Sequence, residues 1–417
     1  MNVKQTCMKS TSANAKTAKG VKQKMLYHAI LSNPAHPEYG VATIPFPLPR
    51  AEYDHSLEVL SALEIGDAVR QDCQVDEITG NYPVLKRLEG QAVNIDELDY
   101  LAMRLDSFCV GEDAQFQAMA EKFDLTDISD FINMTFCCQQ ATVITNFSDL
   151  AKIGKEHYMN LNDGCVRSDE LDRLDGEKTA RELIDSEAGV VTPYGVVYDN
   201  GMELEPLYNG KTFPPYLYDV YPLVFEVSPL NESETKNDAA TICLPMAEKQ
   251  LEHAVERCGI ESAEQLRYST ESALSQKFCD LPDLENETLS ELNEMCEAIM
   301  TYTHYNYNKF SAVIALAKPQ NAMQIKHLAE NFESFDFIPD LKTPAEYGRY
   351  MIRESGHFEY DPNLEDFYDY EGYARQRISQ EQGQFVDTGY ISYQGTQSLD
   401  EIMSGSESSL DFEQQLV

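Results

Sequence analysis

The sequence predicts an α+β protein made of two tandem copies of one module. Two observations lead to this prediction: a long internal repeat, and a series of strands, helices and strands that occurs once in each copy. Strand-type and helix-type segments that are grouped, not alternating, are typical of the α+β class. A length of 417 residues fits two or three domains of about 150 residues. Each module should place small antiparallel sheets on either side of a helical middle.

The internal repeat is clearest between residues 175–189 and 369–383, where identical residues lie 194 positions apart. The six matched positions are Asp175, Glu177, Ala180, Arg181, Ile184 and Gly189, which correspond to Asp369, Glu371, Ala374, Arg375, Ile378 and Gly383. Nearer the start of each copy, His55 matches His253 at a spacing of 198. Solenoid units run about 20 to 50 residues, so a repeat of this length indicates a whole domain copied once.

Four regions follow from the repeat and from composition. They are a basic disordered leader over 1–24, a first module over 25–221, a second module over 222–396 and a flexible acidic tail over 397–417. A polar stretch over 228–238 is the expected linker. The leader carries six lysines and no acid. It is either a disordered arm, which could grip nucleic acid, or the result of a start codon placed upstream of Met25.

The opening of each module shows apolar alternation followed by an amphipathic helix. In the first copy, MLYHAIL and VATIPFPL read as strands before a helix near 51–63. In the second, YPLVFEV and ATICLPM precede a helix near 246–258.

The helical middle and the closing strands follow in both copies. Capping boxes at Asn94 with Glu97 and at Thr288 with Glu291 predict helix starts, and further helices are expected near 111–123, 308–317 and 321–332. Thr343 before Pro344 indicates another start. GVVYDNGMEL, with Asn200-Gly201 as its turn, is predicted to be a hairpin, and FVDTGYISY is its counterpart in the second copy.

The net charge and the cysteine pattern indicate the class of binding partner and the cellular compartment. The net charge is −39, from 71 acidic and 32 basic residues, and it reaches −45 once the six leader lysines are set aside. Such a surface repels nucleic acid and anionic membranes and attracts basic proteins. The ten cysteines include no CxxC pair, which favours reduced thiols. No signal peptide or spanning segment is visible, so a cytoplasmic location is expected.

Catalytic signatures are missing from the sequence. It contains no GxxxxGK[ST], GxGxxG, HExxH or GxSxG, so neither an enzyme nor a cofactor is predicted. His55 and His253 are interpreted as structural. DPNLEDFYD lacks the ligand spacing of a calcium loop, and no metal site is predicted. A hydrolase that uses paired acids is the third alternative.

The density of negative charge suggests a different role. A turn of B-DNA presents about 20 charges over roughly 34 Å. The −45 shared by two modules gives roughly −22 each, on a body on the order of 40 Å across. Carboxylates on such a surface could therefore stand in for phosphates in a groove that holds DNA.

The C-terminal stretch AEYGRYMIRESGHFEYDPNLEDFYDYEGYARQRISQEQGQFVDTGYISY resembles the end of ArdA-type antirestriction proteins. The shared features are a Tyr-Gly-Arg-Tyr helix start, an Asp-Tyr-Glu-x-Tyr-x-Arg segment and a closing Gly-Tyr strand, and ELNEMCEAI resembles the middle domain. The resemblance is good over about 288–395 and fair over 222–287. It implies an elongated, dimeric DNA mimic, encoded by a mobile genetic element such as a conjugative transposon, that inhibits type I restriction-modification enzymes.

The resemblance also implies which acids face the target. These are Glu359, Asp361, Glu365, Asp366, Asp369 and Glu371, with Asp175 and Glu177 as their counterparts in the first copy. Nearby aromatic residues are expected to pack the module. In the first copy Gly176 and Thr179 replace Tyr370 and Tyr373, and two fused copies leave open a homodimer or an intrachain pseudo-dimer. The alternative function is an acidic adaptor for another basic protein of a mobile element.

Overall fold

The chain folds into two compact units. A computed structural model describes residues 25–162, 164–186, 188–229, 240–259, 266–269, 284, 286–304, 306–357 and 359–405. Among these residues, the first unit contains 25–218, 240 and 247–259. The second unit contains 219–229, 241–246 and the described residues from 266 onward. The units are therefore interleaved in sequence. The predicted leader lies outside the described residues, as does most of the predicted linker.

The strands of the first unit form two antiparallel sheets. Their bounds are β1 Tyr27–Ser32, β2 Val41–Phe46, β3 Cys73–Gly80, β4 Ala92–Val93, β5 Thr142–Ile144, β6 Val190–Thr192 and β7 Gly195–Tyr198. One sheet has the order β2-β1-β3-β4 and the other the order β5-β7-β6. In the central strand β1, alternate residues are buried, which fits a sheet with one face on a core.

The described part of the first unit contains eight α-helices, of which three lie between the two sheets in the sequence. Their bounds are α1 Arg50–Ser61, α2 Ile95–Asp106, α3 Glu112–Lys122, α4 Ile128–Met134, α5 Leu150–Leu161, α6 Ser168–Arg173, α7 Gly176–Asp185 and α8 Glu248–Arg257. At the start of α2 the side chain of Asn94 accepts a bond from the backbone, and Glu97 bonds back to the N–H of Asn94 at 3.0 Å. This is the predicted capping box, which satisfies two otherwise unpaired backbone donors.

The main core of the first unit joins the first sheet to the helical middle. Leu57 of α1, Leu98 of α2 and Phe116 of α3 all lie in this one buried cluster. A smaller cluster around Ile153 and Ala180 fills the space between α5, α7 and the second sheet.

The second unit also consists of short strands and helices. Its strands are β8 Leu223–Pro229, β9 Ala240–Leu244, β10 Leu266–Ser269, β11 Phe335–Pro339, β12 Gln384–Val386 and β13 Gly389–Tyr393. Its helices are α9 Leu289–Tyr302, α10 Tyr307–Ala317, α11 Ala322–Glu330, α12 Pro344–Arg353, α13 Tyr370–Glu381 and α14 Leu399–Met403. Among the described residues the second unit has two three-stranded sheets. The order β11-β13-β12 corresponds to β5-β7-β6, and β10-β8-β9 corresponds to three strands of the four-stranded sheet β2-β1-β3-β4. Small antiparallel sheets and helices make up both units, which confirms the α+β class.

Glycine contacts join the paired helices near the end of each unit. A Cβ on Gly154 of α5 would lie 1.9 Å from the carbonyl oxygen of Gly176, and a Cβ on Gly348 of α12 would lie 1.9 Å from that of Tyr370. Only glycine allows the two backbones to come this close. Ala180 and Ala374, which are fully buried, lie on the opposing helices. The recurrence of these small residues thus has a packing cause.

The predicted helices over 51–63, 111–123, 308–317 and 321–332 form within one or two residues of their expected bounds.

The turn of the hairpin predicted for the first copy was placed at the wrong residues. β6 and β7 pair with Thr192 opposite Gly195, so the reversal lies at 193–194, and Asn200-Gly201 follows the hairpin. Asn200 instead donates a side-chain bond of 2.7 Å to the carbonyl of Gln140. Asn-Gly here closes a loop between elements, a role that local sequence does not distinguish from a hairpin turn.

Within the predicted tail 397–417, residues Leu399–Met403 form α14, which begins with a capping box of Ser398 and Glu401. Ile402 is buried, and His327 of α11 is 3.1 Å from the carbonyl of Met403. Residues 406–417 lie outside the described part of the chain. In the part that is described, no helix is long and apolar enough to cross a membrane.

Candidate acidic binding surface

The acidic-aromatic segment, defined here as residues 359–371, connects α12 to α13 in the second unit. Its middle is a 3-10 helix, Pro362–Phe367. Asp361 caps this helix, accepting a bond of 2.9 Å from the backbone N–H of Asn363, and Pro362 at the first position has the φ angle that a helix start requires. An ordered turn therefore presents the acids of the segment.

Glu365 lies at the centre of the contacts inside the segment. Its carboxylate accepts bonds from the hydroxyls of Tyr360 and Tyr370, the latter at 2.7 Å, and Arg353 of α12 is 3.7 Å away. The bonds from Tyr360 and Tyr370 lower the pKa of Glu365. Burial and this carboxylate raise the pKa of Tyr370 to about 12. Glu365 therefore helps to build the surface, and its charge is partly matched by Arg353.

A row of tyrosine rings supports the same turn. The ring centroids of Tyr360 and Tyr368 are 5.7 Å apart, and those of Tyr368 and Tyr370 are 5.8 Å apart. The hydroxyl of Tyr368 accepts a bond of 3.2 Å from the backbone N–H of Asp361. These tyrosines pack within the segment, as expected. Phe367 differs, because 83% of its surface is exposed.

Asp369 and Glu371 mark the start of α13. Asp369 caps the helix by accepting a 2.9 Å bond from the backbone N–H of Gly372. Glu371 forms an ion pair with Arg375 one turn later, at 2.5 Å. Both side chains are exposed, but the helix N-terminus and the arginine offset part of their negative field.

Asp175 and Glu177 occupy the equivalent place at the start of α7. Asp175 accepts a 3.1 Å bond from the backbone N–H of Lys178, and Glu177 is 3.8 Å from Arg181. The acids that the internal repeat singles out therefore have the same local task in both copies: they cap a helix and pair with its first arginine.

Glu359, Asp361 and Asp366 are the exposed acids of the segment that are less engaged. The side chains of Glu359 and Asp366 form no hydrogen bond or ion pair with any other residue in the described part of the chain, and that of Asp361 only caps the turn. Of the eight predicted site acids, these three keep the most uncompensated charge. Phe358 lies outside the described residues.

The first copy has a different connection between its paired helices. Residues 168–173 form the short helix α6, which has no buried residue. Asp169 is 3.0 Å from Arg167, and Glu170 accepts a 2.5 Å bond from Tyr158. Where the second copy has Tyr370, the first has Gly176. The tyrosine row is thus specific to the second copy.

The two recurring histidines lie in different environments. The side chain of His55 on α1 is 77% exposed and 3.6 Å from Glu58. That of His253 on α8 is 13% exposed and forms a 2.9 Å contact with Asp96 of α2. The structural interpretation of His253 agrees with this geometry. Sequence patterns did not reveal its acidic partner, which is 157 positions away.

Residues 233–392 match the family model described as antirestriction protein (ArdA). Over this region the chain is similar to the ArdA antirestriction family. The matched region contains the whole acidic-aromatic segment, and it also contains α8, which packs in the first unit. No curated protein matches the chain. No group of three or more His, Cys, Asp or Glu side chains suited to a metal ion occurs among the residues with described positions.

Proposed function

We propose that this chain is an antirestriction DNA mimic that occupies the DNA-binding groove of type I restriction-modification enzymes inside the cell. It would be built from two tandem ArdA-like modules, 25–221 and 222–396. The observation that supports this most directly is the acidic-aromatic segment. Within the ArdA region, a capped and tyrosine-supported turn holds Glu359, Asp361 and Asp366 exposed to solvent.

Charge favours a partner that normally holds a polyanion. The net charge of −39 repels DNA itself and attracts a basic groove over long range. Electrostatic attraction of this kind mainly accelerates association. A surface that is rigid before binding also loses less entropy when it docks. An ordered turn is therefore better suited to imitate the fixed spacing of phosphates than a mobile acidic tail would be.

The acids of the segment do not contribute equally in this proposal. Glu365 and Glu371 are compensated by Arg353 and Arg375, and Asp369 is compensated by a helix N-terminus. We therefore assign the main contact with the target to Glu359, Asp361 and Asp366. Asp175 and Glu177 are assigned a structural role in α7, and the first copy a supporting role in binding.

The test is inhibition of DNA cleavage by a panel of purified type I enzymes. The full chain should inhibit at least one of them, and excess DNA should compete. Affinity should fall steeply as salt rises from about 50 to 500 mM, because screening weakens contacts between exposed charges. Methylation by the same complexes should be followed in parallel, to learn whether modification is inhibited as well.

Two results would contradict the proposal. An affinity that is flat across the salt range would mean that apolar packing holds the complex. A chain that inhibits none of the enzymes, yet binds a basic protein of a mobile element, would favour the acidic adaptor.

A further inference from the structure

The 3-10 helix Pro362–Phe367 of the acidic-aromatic segment has three distinct faces. A 3-10 helix has three residues per turn, so side chains three positions apart point in the same direction. The N–H of Leu364 donates to the carbonyl of Asp361 at 3.0 Å. The N–H of Tyr368 donates to the carbonyl of Glu365 at 3.3 Å. These backbone bonds fix the faces, each of which carries two of the six residues.

The face that carries Glu365 is turned inward and already binds an arginine. Glu365 is the only residue of this helix that is not exposed. The guanidinium of Arg353 is 3.7 Å from its carboxylate and lies over the ring of Tyr360, 5.0 Å from the ring centre. Tyr360 also donates a hydrogen bond to Glu365. The inner face thus holds one guanidinium against both a carboxylate and an aromatic ring.

The face that carries Leu364 and Phe367 is turned outward. Leu364 is 47% exposed and Phe367 is 83% exposed. Neither lies in the buried cluster around Tyr347 and Met351 of the same unit. Single exposed apolar residues are common on protein surfaces. Phe367 is distinguished by the residue beside it.

Asp366 directly precedes Phe367 and is exposed. In the described part of the chain its side chain forms no hydrogen bond or ion pair, and no lysine or arginine there lies over the ring of Phe367. Successive Cα atoms are about 3.8 Å apart, so one guanidinium can contact both side chains. The outer side of the turn therefore offers the same two groups as the inner side, without an arginine from this chain.

The connection in the first copy lacks this combination. Its apolar residues Leu171 and Leu174 are also three positions apart, but both are half-buried. No exposed apolar or aromatic residue occurs between 168 and 175. An exposed ring beside an uncompensated acid is therefore a feature of the second copy.

Arginine matches these two groups better than lysine does. Its planar guanidinium stacks on an aromatic face and can donate to a carboxylate at the same time. The lysine ammonium is a compact and strongly hydrated charge. Arginine also makes bidentate contacts with phosphate, so a groove that holds DNA supplies such side chains.

We propose that Asp366 and Phe367 form a binding position for an arginine side chain of the partner. The guanidinium stacks on the ring of Phe367 and pairs with the carboxylate of Asp366, and Leu364 contacts the aliphatic part of the same side chain. The identity of the partner rests on the proposed function, which places this arginine in the DNA-binding groove of a type I enzyme. The carboxylate attracts the partner over long range, and the ring retains it after contact.

The first experiment uses hexapeptides of arginine and of lysine as probes. They are titrated at about 0.15 M salt, where long-range attraction is screened, into the full chain labelled with 4-fluorophenylalanine. The fluorine resonance of Phe367, assigned from its loss in Phe367→Leu, should shift at an arginine peptide concentration about threefold lower than that of the lysine peptide. Asp366→Asn should weaken the response to the arginine peptide. Phe147, which is 48% exposed in the first unit, is the control and should not distinguish the peptides.

The second experiment follows dissociation of the full chain from a sensitive type I enzyme by surface plasmon resonance. Phe367→Ala should dissociate about fivefold faster with a nearly unchanged association rate, because stacking acts only after contact. Phe367→Tyr should behave like the parent, since it keeps the ring. Phe367→Leu keeps an apolar side chain without a ring and should dissociate as fast as Phe367→Ala. Phe147→Ala is the matched control.

Three results would overturn the arginine position. Equal responses of Phe367 to the two hexapeptides would show that it does not select arginine. A Phe367→Leu variant that dissociates as slowly as the parent would show an apolar contact alone. A change of oligomeric state in Phe367→Ala, measured by light scattering, would assign the ring to contact between copies of this chain.

Failure of the proposed function is a separate outcome. If the parent chain binds no type I enzyme, the partner is wrongly identified. The peptide titration needs no enzyme, so it still decides whether Asp366 and Phe367 bind arginine.

Discussion

The paired helices α5 and α7 of the first unit and α12 and α13 of the second share an architecture and differ in what connects them. Both pairs cross at a glycine against a backbone carbonyl, and in both a capping aspartate opens the second helix. The connections are a short polar helix in one and a tyrosine-supported acidic turn in the other. The repeated residues thus build the scaffold, and the residues that distinguish the copies mark the candidate binding surface.

The largest expected effect concerns the shared scaffold. Gly348→Ala and Gly154→Ala each place a methyl group against a backbone carbonyl, so each should lower the free energy of unfolding by about 1–3 kcal/mol. Denaturant unfolding followed by circular dichroism measures this. Gly356→Ala is unsuitable as a control because its φ of +73° disfavours alanine, whereas Glu354→Ala nearby changes an exposed residue with a negative φ. If only one of the two glycines is sensitive, the two pairs are not built alike.

The next largest effect is expected from the acidic-aromatic segment, which differs from the corresponding connection in the first copy. Replacing Glu359, Asp361 and Asp366 with Gln or Asn should slow association with a sensitive restriction enzyme by about tenfold at low salt, because long-range attraction sets the association rate. The matched variant replaces Asp169, Glu170 and Asp172 in the connection of the first copy, and it should have a smaller effect. Surface plasmon resonance at two salt concentrations gives both rates. A larger loss from the first-copy variant would reverse the ranking of the copies.

A smaller effect tests the helix caps. Asp369→Ala and Asp175→Ala each remove a side-chain acceptor for a backbone N–H, and each should cost about 1 kcal/mol of stability. The corresponding Asn variants should be close to the parent, because asparagine caps equally well. Should Asp369→Asn preserve stability and yet abolish inhibition, the charge of this residue would belong to the binding surface after all.

The smallest effect concerns the ion pairs one turn into the same helices. Glu371→Gln and Glu177→Gln should each change stability by about 0.2–0.5 kcal/mol, which is typical of exposed pairs spaced four residues apart on a helix. Adding 0.5 M salt should remove even this difference from the parent. Thermal melts in low and high salt suffice to detect it. A difference that persists in high salt would show that these glutamates contribute something besides the ion pair.

Local patterns predicted much of the fold. The capping boxes at Asn94 and Thr288 gave the starts of α2 and α9, because the residues that cap a helix lie within four positions of each other. The turn of the β6-β7 hairpin was misplaced, since Asn-Gly also forms turns in loops between other elements.

The candidate site was less predictable. The eight acids could be named from family resemblance, but their separation into compensated and uncompensated groups depends on contacts such as Arg353 with Glu365, which span several turns. The pairing of Asp96 with His253 could not be foreseen, because it requires the tertiary packing of α8. Exposure of Phe367 likewise depends on the exact path of a six-residue turn.

The interleaving of the two units has a consequence for how such a chain can change over evolution. A deletion of residues from 222 onward would remove α8, and Asp96 would lose both Arg257 and His253. A buried carboxylate left without its cation destabilises a protein by about 3–5 kcal/mol, a large part of the stability of an ordinary domain. Such a shortened chain would therefore first need a substitution that neutralises Asp96.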